Sequence, residues 1–390
     1  MLSNNDGCVI SRSQEAKDIG IPMGAPAHQY QKMFDKNRIE VFSSNYQLYA
    51  DMSNRVMKIL STYSPDQEIY SIDECFLKFE GFERYDLTNY GQEIKTKILQ
   101  CTKLPVCVGI APTKALAKLA NHIAKKFPQF HQGVYTIKTE EQIYKALKWA
   151  DIEEVWGIGR RFSKRLRMIG VHKALDFVNL EDEYIRKEFS VVGLRLKKEL
   201  LGESVLDLDM ISPKKRIATT RSFEKYTNDF EYVKERVSTF AVSCAEKLRK
   251  QNSSCNLLTL FIQTNPFDKE KAQYYRTISI HLPYQSNSSI TLSKVAVKAF
   301  EQIYKDGYAY KKAGIIVSGL VPEDQRQLSL FEEENTHHPN LMKAMDVLNK
   351  KFGATKVKLA SQDLDRTWKM RQERLSPCYT TKWKDLLIVY

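Results

Sequence analysis

IYSIDECFL, Ile69–Leu77, sets two adjacent acids, Asp73 and Glu74, between two apolar half-strands, and VCVGIAPTKALAKLANHIAKK, Val106–Lys126, follows with an apolar run, a turn and a basic helical pattern. Glu68 to Phe79 reads as two short β-rich runs around the acids, that is, a hairpin. Pro105–Ala111 fits a buried strand, and Thr113 is placed to cap a long helix that ends near Pro128. Upstream, apolar and aromatic residues recur at helical spacing from Asn45 to Leu60, and Leu87–Cys101 fits another helix. The pattern predicts an α/β layer through about residue 145.

The acids raise a chemical question. An isolated charged pair between apolar half-strands is costly unless metal or cations balance it. Magnesium takes oxygen ligands and leaves positions for substrate phosphates, and two such ions about 4 Å apart activate an attacking hydroxyl while steadying a leaving group. Taken alone, however, a DE pair reads first as a hairpin turn that exposes both acids to water. Lys114 and Lys118 lie one helical turn apart, with Lys125 and Lys126 two turns further on, so they could present ammonium groups to a triphosphate or form a solvated face. GIAPTK is not a Walker loop, because the glycine that should precede the lysine is missing.

Outward from this layer, Trp149–Leu206 changes to short helices punctuated by glycines, with VWGIGRR at Val155–Arg161 and VVGLRLKKEL at Val191–Leu200. A small all-helical domain is expected. In VWGIGRR, Gly157 and Gly159 suit a hairpin between helices whose amides meet a phosphate at a helix start, with Arg160, Arg161, Lys164 and Arg165 beside it; an ordinary helix–helix turn fits as well. Gly193, with Lys197 and Lys198 beyond it, is a weaker second instance that core packing would also explain. After a polar linker at Ser212–Arg216 come strand Arg216–Phe223, helix Asp229–Gln251, strands Leu257–Thr264 and Arg276–Leu282, helix Leu292–Tyr304 and strand Ala313–Leu320. The order is βαββαβ, a ferredoxin-like unit. PEDQRQLSLFEEENTHHPN then reads as an exposed linker, and Leu341–Phe352 as a further helix. The tail, with Trp368 and Trp383, is too short for its own core and should dock elsewhere.

Composition narrows the class. Lys and Arg exceed Asp and Glu by 13 charges, which points to a polyanionic partner, nucleic acid foremost, with a merely solvated or ribosome-associated basic surface as the alternative. No apolar run reaches the roughly 18 residues of a bilayer span, and no secretory signal opens the chain, so no membrane role is expected and the cytoplasm is the default compartment. The 7 cysteines contain no CxxC pair and read as packing residues.

SNNDGCVISRS, EAKDIGIPMGAP, FSSNYQLYADMSNRV, YSIDECFL, VGIAPTKALAKLANHIAKK, VWGIGRR and the tail SPCYTTKWKDLL occur in this order, and the chain resembles the Y-family translesion DNA polymerases over essentially its whole length. The resemblance implies an α+β multidomain right hand: fingers (1–40, partial), a ferredoxin-like palm (41–148), a helical thumb with helix-hairpin-helix (149–210), a βαββαβ little finger (213–322), a linker with a clamp-binding motif (323–339) and a C-terminal partner-binding region (340–390). It implies that Asp73 and Glu74 bind two magnesium ions, that Ser11 and Lys17 lie over the incoming dNTP, and that Lys125 reaches its triphosphate. Lys17 stands where many relatives carry arginine, which turns a bidentate phosphate contact into a point charge. Gly157, Gly159, Arg160 and Arg161 would hold primed and damaged DNA. Gln327, Leu330 and Phe331 would anchor QLSLF in the sliding clamp (beta subunit), although a linker packing on its own domain is the plainer reading of five residues. A UmuD′ dimer and RecA are the further partners implied.

The chain departs from the family at its start. Family members begin with a strand carrying DxNxFYAS, so the expectation is a palm lacking its first strand, a third metal-binding carboxylate and the aromatic that excludes ribonucleotides. Asp6 is a poor replacement, because NDG reads as a tight turn in the fingers. The alternative function is therefore a catalytically disabled DNA- and clamp-binding remnant. A helix-hairpin-helix glycosylase or nuclease is disfavoured for want of a flipped-base pocket.

Overall fold

Leu258, Leu260 and Ile262 are fully buried and alternate with half-exposed Leu257, Thr259 and Phe261, the period-two pattern of a strand with one covered face. A computed structural model describes residues 1–209, 213–327, 335–353, 356–364 and 370–388. It divides into two compact units, 1–210 with 371–390, and 211–370.

In the second unit the strands are Ile217–Thr227, Ser253–Thr264, Tyr275–Ser286 and Tyr310–Ser318, and the helices are Phe230–Lys250 and Ser289–Ile303. The βαββαβ order is as expected. All pairings are antiparallel, with the last strand lying between the first two, so the two crossovers interlock. The register sets Leu258 opposite Val317, Leu260 opposite Ile315 and Ile262 opposite Ala313, so inward apolar residues meet across the ladder. Val237, Ala241, Leu248, Ala296 and Phe300 of the two helices close the core over that face. Asp229 caps the first helix by accepting from the Tyr232 amide at 3.0 Å.

Two expectations change here. The linker after Val321 is exposed at Pro322, Asp324 and Gln325, as expected, but it is not free from its start: Val321 and Pro322 pair with Ser254 and Ser253, Glu323 accepts from Ser254 Oγ at 2.8 Å, and Arg326 donates to the Gln285 carbonyl at 2.6 Å. Polar anchoring of this kind has no apolar signature to read. The C-terminal region is also divided. Helix His338–Phe352 and residues 356–364 belong to the second unit, through the bidentate Arg249–Asp346 pair at 2.7 Å and the buried Arg236–Asp363 pair, whereas 371–388 belong to the first.

In the first unit the acidic hairpin is β1 (Gln67–Ile69) with β2 (Cys75–Leu77), antiparallel, and β3 (Val108–Ile110) pairs in parallel with β4 (Val134–Thr136). Helices α1 (Tyr46–Leu60), α2 (Leu87–Thr102) and α3 (Lys114–Lys126) pack with them, followed by α4 (Arg160–Met168) and α5 (Asp182–Leu200). Thr113 caps α3 as expected, accepting from the Leu116 amide at 3.2 Å. The two strand pairs are separate sheets, and β2 and β3 border a largely apolar cavity of about 890 Å³ that Leu60, Leu77, Ile94, Val108 and Ile110 help to line.

Residues 1–44 keep a small core of their own around Leu2, Val9, Ile21 and Phe34. The NDG turn is present, with Asn5 and Asp6 at φ 58° and 51°, and Asp6 Oδ2 accepts from the Glu373 amide at 3.1 Å. Asp6 thus helps to seat the tail. That tail lies along Ser43–Asn45: the Ser43 amide donates to the Arg374 carbonyl at 2.8 Å, and Asn45 Nδ2 to the Ser376 carbonyl at 2.9 Å.

All 7 cysteines are free thiols. Burial pushes the thiols of Cys75, Cys244 and Cys255 up, the last to about 12, which fits packing residues. Cys101 departs from that reading, for it is exposed.

Candidate active site at the acidic hairpin

The hairpin closes tightly. Glu68 faces Phe76 and Ile69 faces Cys75, and the amides of Tyr70 and Ser71 both donate to the Glu74 carbonyl, at 3.1 and 3.0 Å. This turn leaves Asp73 exposed and the Glu74 side chain 41% exposed. Ser71 Oγ donates to Asp73 Oδ1 at 2.6 Å and accepts from the Asp73 amide at 3.3 Å, so a neutral hydroxyl orients that carboxylate. Sequence reasoning passed over Ser71. Its signal was a hydroxyl two residues ahead of an acid, the spacing of a serine turn.

The basic helix reaches the hairpin because of Gly109. At that point in β3, a Cβ would lie 2.1 Å from the Asn121 nitrogen and 2.3 Å from the Ala117 oxygen, so only glycine lets α3 approach so closely. Lys118 Nζ then lies 2.5 Å from Glu74 Oε1 and 5.5 Å from the centre of the Tyr70 ring. Lys114 Nζ lies 2.6 Å from Glu68 Oε2, 3.0 Å from the Asp207 carbonyl oxygen and 5.0 Å from the centre of the Phe76 ring. The expectation that these two lysines are open to a triphosphate is therefore corrected: both are held by carboxylates of the hairpin, which would otherwise stand unpaired. Lys125 keeps the expected freedom. It is exposed near the end of α3, seven residues from Lys118 and hence about 10 Å along the same helix face.

Two further residues went unread. Glu68 is buried, and besides Lys114 it accepts from the Asp209 amide at 2.7 Å, tying the segment after α5 to the hairpin. Trp156 donates from Nε1 to the Tyr70 hydroxyl at 3.1 Å, and its ring packs 5.7 Å from both Tyr70 and Phe76. Ser11 and Lys17 lie elsewhere. Ser11 is exposed and its carbonyl accepts from the amino terminus at 2.9 Å, and Lys17 is exposed on the short helix Gln14–Asp18. Among the described residues no hydrogen bond or ion pair joins either to Asp73 or Glu74.

Among the described residues no three His, Cys, Asp or Glu side chains gather as a metal cluster. Asp73 and Glu74 nevertheless supply hard oxygen donors on one exposed turn. That donor set suits magnesium, which is held by one or two carboxylates together with substrate phosphates.

In VWGIGRR, Val155 and Ile158 are buried and Gly157 takes φ 93°, a conformation that other residues rarely adopt. Gly159 is the N-cap of α4 and offers no side chain to cap it, so the first amides of the helix point outward, beside exposed Arg160, Arg161 and Lys164. Arg165 and Arg167 are instead paired with Glu188 and Glu153. Replacing both Arg160 and Arg161 by alanine is expected to weaken duplex binding about tenfold and to reduce the slope of log affinity against log salt by about 2, read by fluorescence anisotropy across a salt series. The second glycine is a packing residue: a Cβ on Gly193, inside α5, would lie 2.5 Å from the Phe189 Cβ, and Lys197 and Lys198 are paired with Asp182 and Glu203. Of the clamp motif, the Gln327 amide donates to Gln285 Oε1 at 3.0 Å, while Leu330 and Phe331 lie outside the described residues.

Residues 1–122 match the impB/mucB/samB family and residues 214–330 match its C-terminal domain. The chain belongs to the impB/mucB/samB family. Residues 339–389 match a domain of unknown function. The chain is 40% identical to Protein UmuC of Salmonella typhimurium over 100% of its own length and 93% of that protein, and 39% identical to Protein ImpB of the same organism over 99% and 92%. DNA polymerase IV of Sulfurisphaera tokodaii is 33% identical over 48% of this chain and 51% of its own. Among solved structures, a Dbh-based Y-family DNA polymerase chimera superposes with a TM-score of 0.65 at 20% identity, covering 81% of this chain and 88% of that one. The expected fold is thus shared with a Y-family DNA polymerase structure.

Proposed function

We propose that the chain catalyses template-directed, error-prone DNA synthesis across damaged bases, as the catalytic subunit of a polymerase V, by two-metal nucleotidyl transfer from a dNTP to a primer 3′-hydroxyl. The observation that carries this reading is the hydroxyl-braced acid turn set against the lysine-bearing face of α3. Asp73 and Glu74 would hold the magnesium ions, which when bound supply activation of the hydroxyl and neutralisation of charge on the phosphates. The residues of the chain do the positioning. Ser71 fixes Asp73, Gly109 sets the distance of α3, and Lys125 lies two turns beyond Lys118, where it would meet a triphosphate. The α4 amides with Arg160 and Arg161 grip the DNA backbone, with sequence-independent contacts as copying requires.

Ser11 and Lys17 belong to the same proposal as nucleotide contacts, made when the amino-terminal region meets its substrate. Gln327, Leu330 and Phe331 are proposed as the sliding-clamp peptide. The UmuD′ dimer and RecA are proposed as partners in SOS mutagenesis.

A second reading, a DNA- and clamp-binding protein without catalysis, parts from the first in one assay. Magnesium-dependent primer extension is measured with residues 1–390 beside a version that also carries the family's DxNxFYAS strand. Extension only by the longer version is the expected result, with that strand filling the cleft between β2 and β3 and bringing the third carboxylate. Extension by both would mean that another carboxylate completes the site. Extension by neither overturns the catalytic reading in favour of the second.

A further inference from the structure

The two acids of the hairpin are not treated alike by their surroundings. Asp73 is braced by a neutral hydroxyl, Ser71 Oγ at 2.6 Å, and no cation of the described residues pairs with it. Glu74 carries an internal counter-cation, Lys118 Nζ at 2.5 Å. The pair sits at a rim, with the Lys118 side chain 21% exposed and that of Glu74 41% exposed, so water and ions reach it. Lys118 is itself held in place: its ammonium lies 5.5 Å from the centre of the Tyr70 ring, and the Tyr70 hydroxyl accepts from Trp156 Nε1 at 3.1 Å. Trp156 belongs to the glycine hairpin that opens α4, so the seat of this ammonium is built partly from that hairpin.

We propose that Lys118 is a positioning residue, a resident counter-cation that holds the Glu74 carboxylate in place and that a divalent ion must displace before it can use that carboxylate. The proposal rests on the reading of Asp73 and Glu74 as the metal donors. An ammonium and a divalent ion compete for the same oxygens, so removing the ammonium strengthens metal binding even though it removes an ion pair. Asp73, with no such competitor, remains open throughout. The chain therefore admits its two ions unequally, the first through Asp73 alone and the second only at the expense of the Lys118–Glu74 pair.

The test measures binding of Mn2+ to the full chain without DNA or nucleotide, with free ion followed by electron paramagnetic resonance. The variants are Lys118→Met, Lys118→Arg, Lys126→Met and the double replacement of Asp73 and Glu74 by alanine. Lys118→Met is expected to bind Mn2+ about threefold more tightly, the size set by a part-exposed ion pair. Lys118→Arg should match the parent, because it keeps the cation, and Lys126→Met should match it too, because it removes one charge from the same helix away from Glu74. Equal or weaker binding by Lys118→Met, or an equal gain in Lys126→Met, overturns the proposal. If Lys118→Met does not fold, Lys118→Gln takes its place in the same comparison. Failure of the reading beneath it looks different: the double alanine variant would then bind Mn2+ as tightly as the parent.

Discussion

Replacing Asp73 by alanine, in the chain carrying the family's amino-terminal strand, is expected to lower primer extension by at least about 1,000-fold while affinity for primed DNA stays within about twofold. Asp73 is exposed on a turn whose closure depends on backbone groups, the Tyr70 and Ser71 amides on the Glu74 carbonyl, so its removal leaves the hairpin standing. Exposed substitutions of this kind shift stability by only about 0.5 kcal/mol. The loss is therefore one of chemistry, because a metal donor is gone while the DNA grip around α4 is untouched. Asp73→Asn sharpens the result. It keeps an oxygen for the Ser71 hydroxyl and nearly the same volume, and it should be about as inactive, since a neutral amide is a poor magnesium ligand. Extension rates measured beside anisotropy titrations on the same preparations decide it. Extension that survives in both variants would take Asp73 out of the metal site.

The parts of this molecule that were legible in sequence are those whose signal is local. The strand over Leu257–Thr264 shows through its apolar and β-branched run, Thr113 announces the start of α3, and NDG announces its left-handed turn. The register that seats Leu260 opposite Ile315 then follows, since a slip of one residue would turn every inward side chain to water. What stayed unread are pairings between residues far apart in the chain. Glu68 with Lys114 and Asp209, Trp156 with Tyr70, and Asn45 with Ser376 each join separate elements, and neither partner carries a periodicity that points to the other. Lys114 and Lys118 show the cost of that blindness. Their spacing on the helix was right, but the carboxylates that occupy them come from the hairpin, and only the fold brings those within reach. The tail shows the same limit: its need to dock was legible from its length, while its division between the two units depends on Arg249, Arg236 and Asn45, none of which stands out in sequence.

Glu199 is where the largest loss of stability is expected. This glutamate is fully buried near the end of α5, and its Oε1 accepts from the amides of Val205 and Leu206 at 2.8 and 3.0 Å while Oε2 accepts from the Ala115 amide at 3.2 Å. The Ala115 amide is one of the unpaired donors in the first turn of α3, so the carboxylate also meets the positive end of that helix. The Glu199 carbonyl accepts from Thr113 Oγ1 at 2.7 Å, which joins the cap of α3 to the same point. Glu199→Ala would leave one buried and two part-buried amides without partners and open a void, a cost of about 3–5 kcal/mol to this unit. Glu199→Gln keeps one oxygen but turns an amide donor against other donors, and about 2 kcal/mol is expected. Hydrogen exchange reads the effect where it arises: the amides of Ala115, Val205 and Leu206 should lose protection in both variants, more in alanine. Core amides of the βαββαβ unit, such as Leu260, should keep theirs. The consequence reaches the site through α3. Lys114 and Lys118 hold Glu68 and Glu74 only while the first turns of that helix stay fixed, so a loosened start of α3 should also release the hairpin from its lysines. Unchanged protection at Ala115 in Glu199→Ala would show that the start of α3 is held by Thr113 alone and that the buried carboxylate does not organise this corner of the fold.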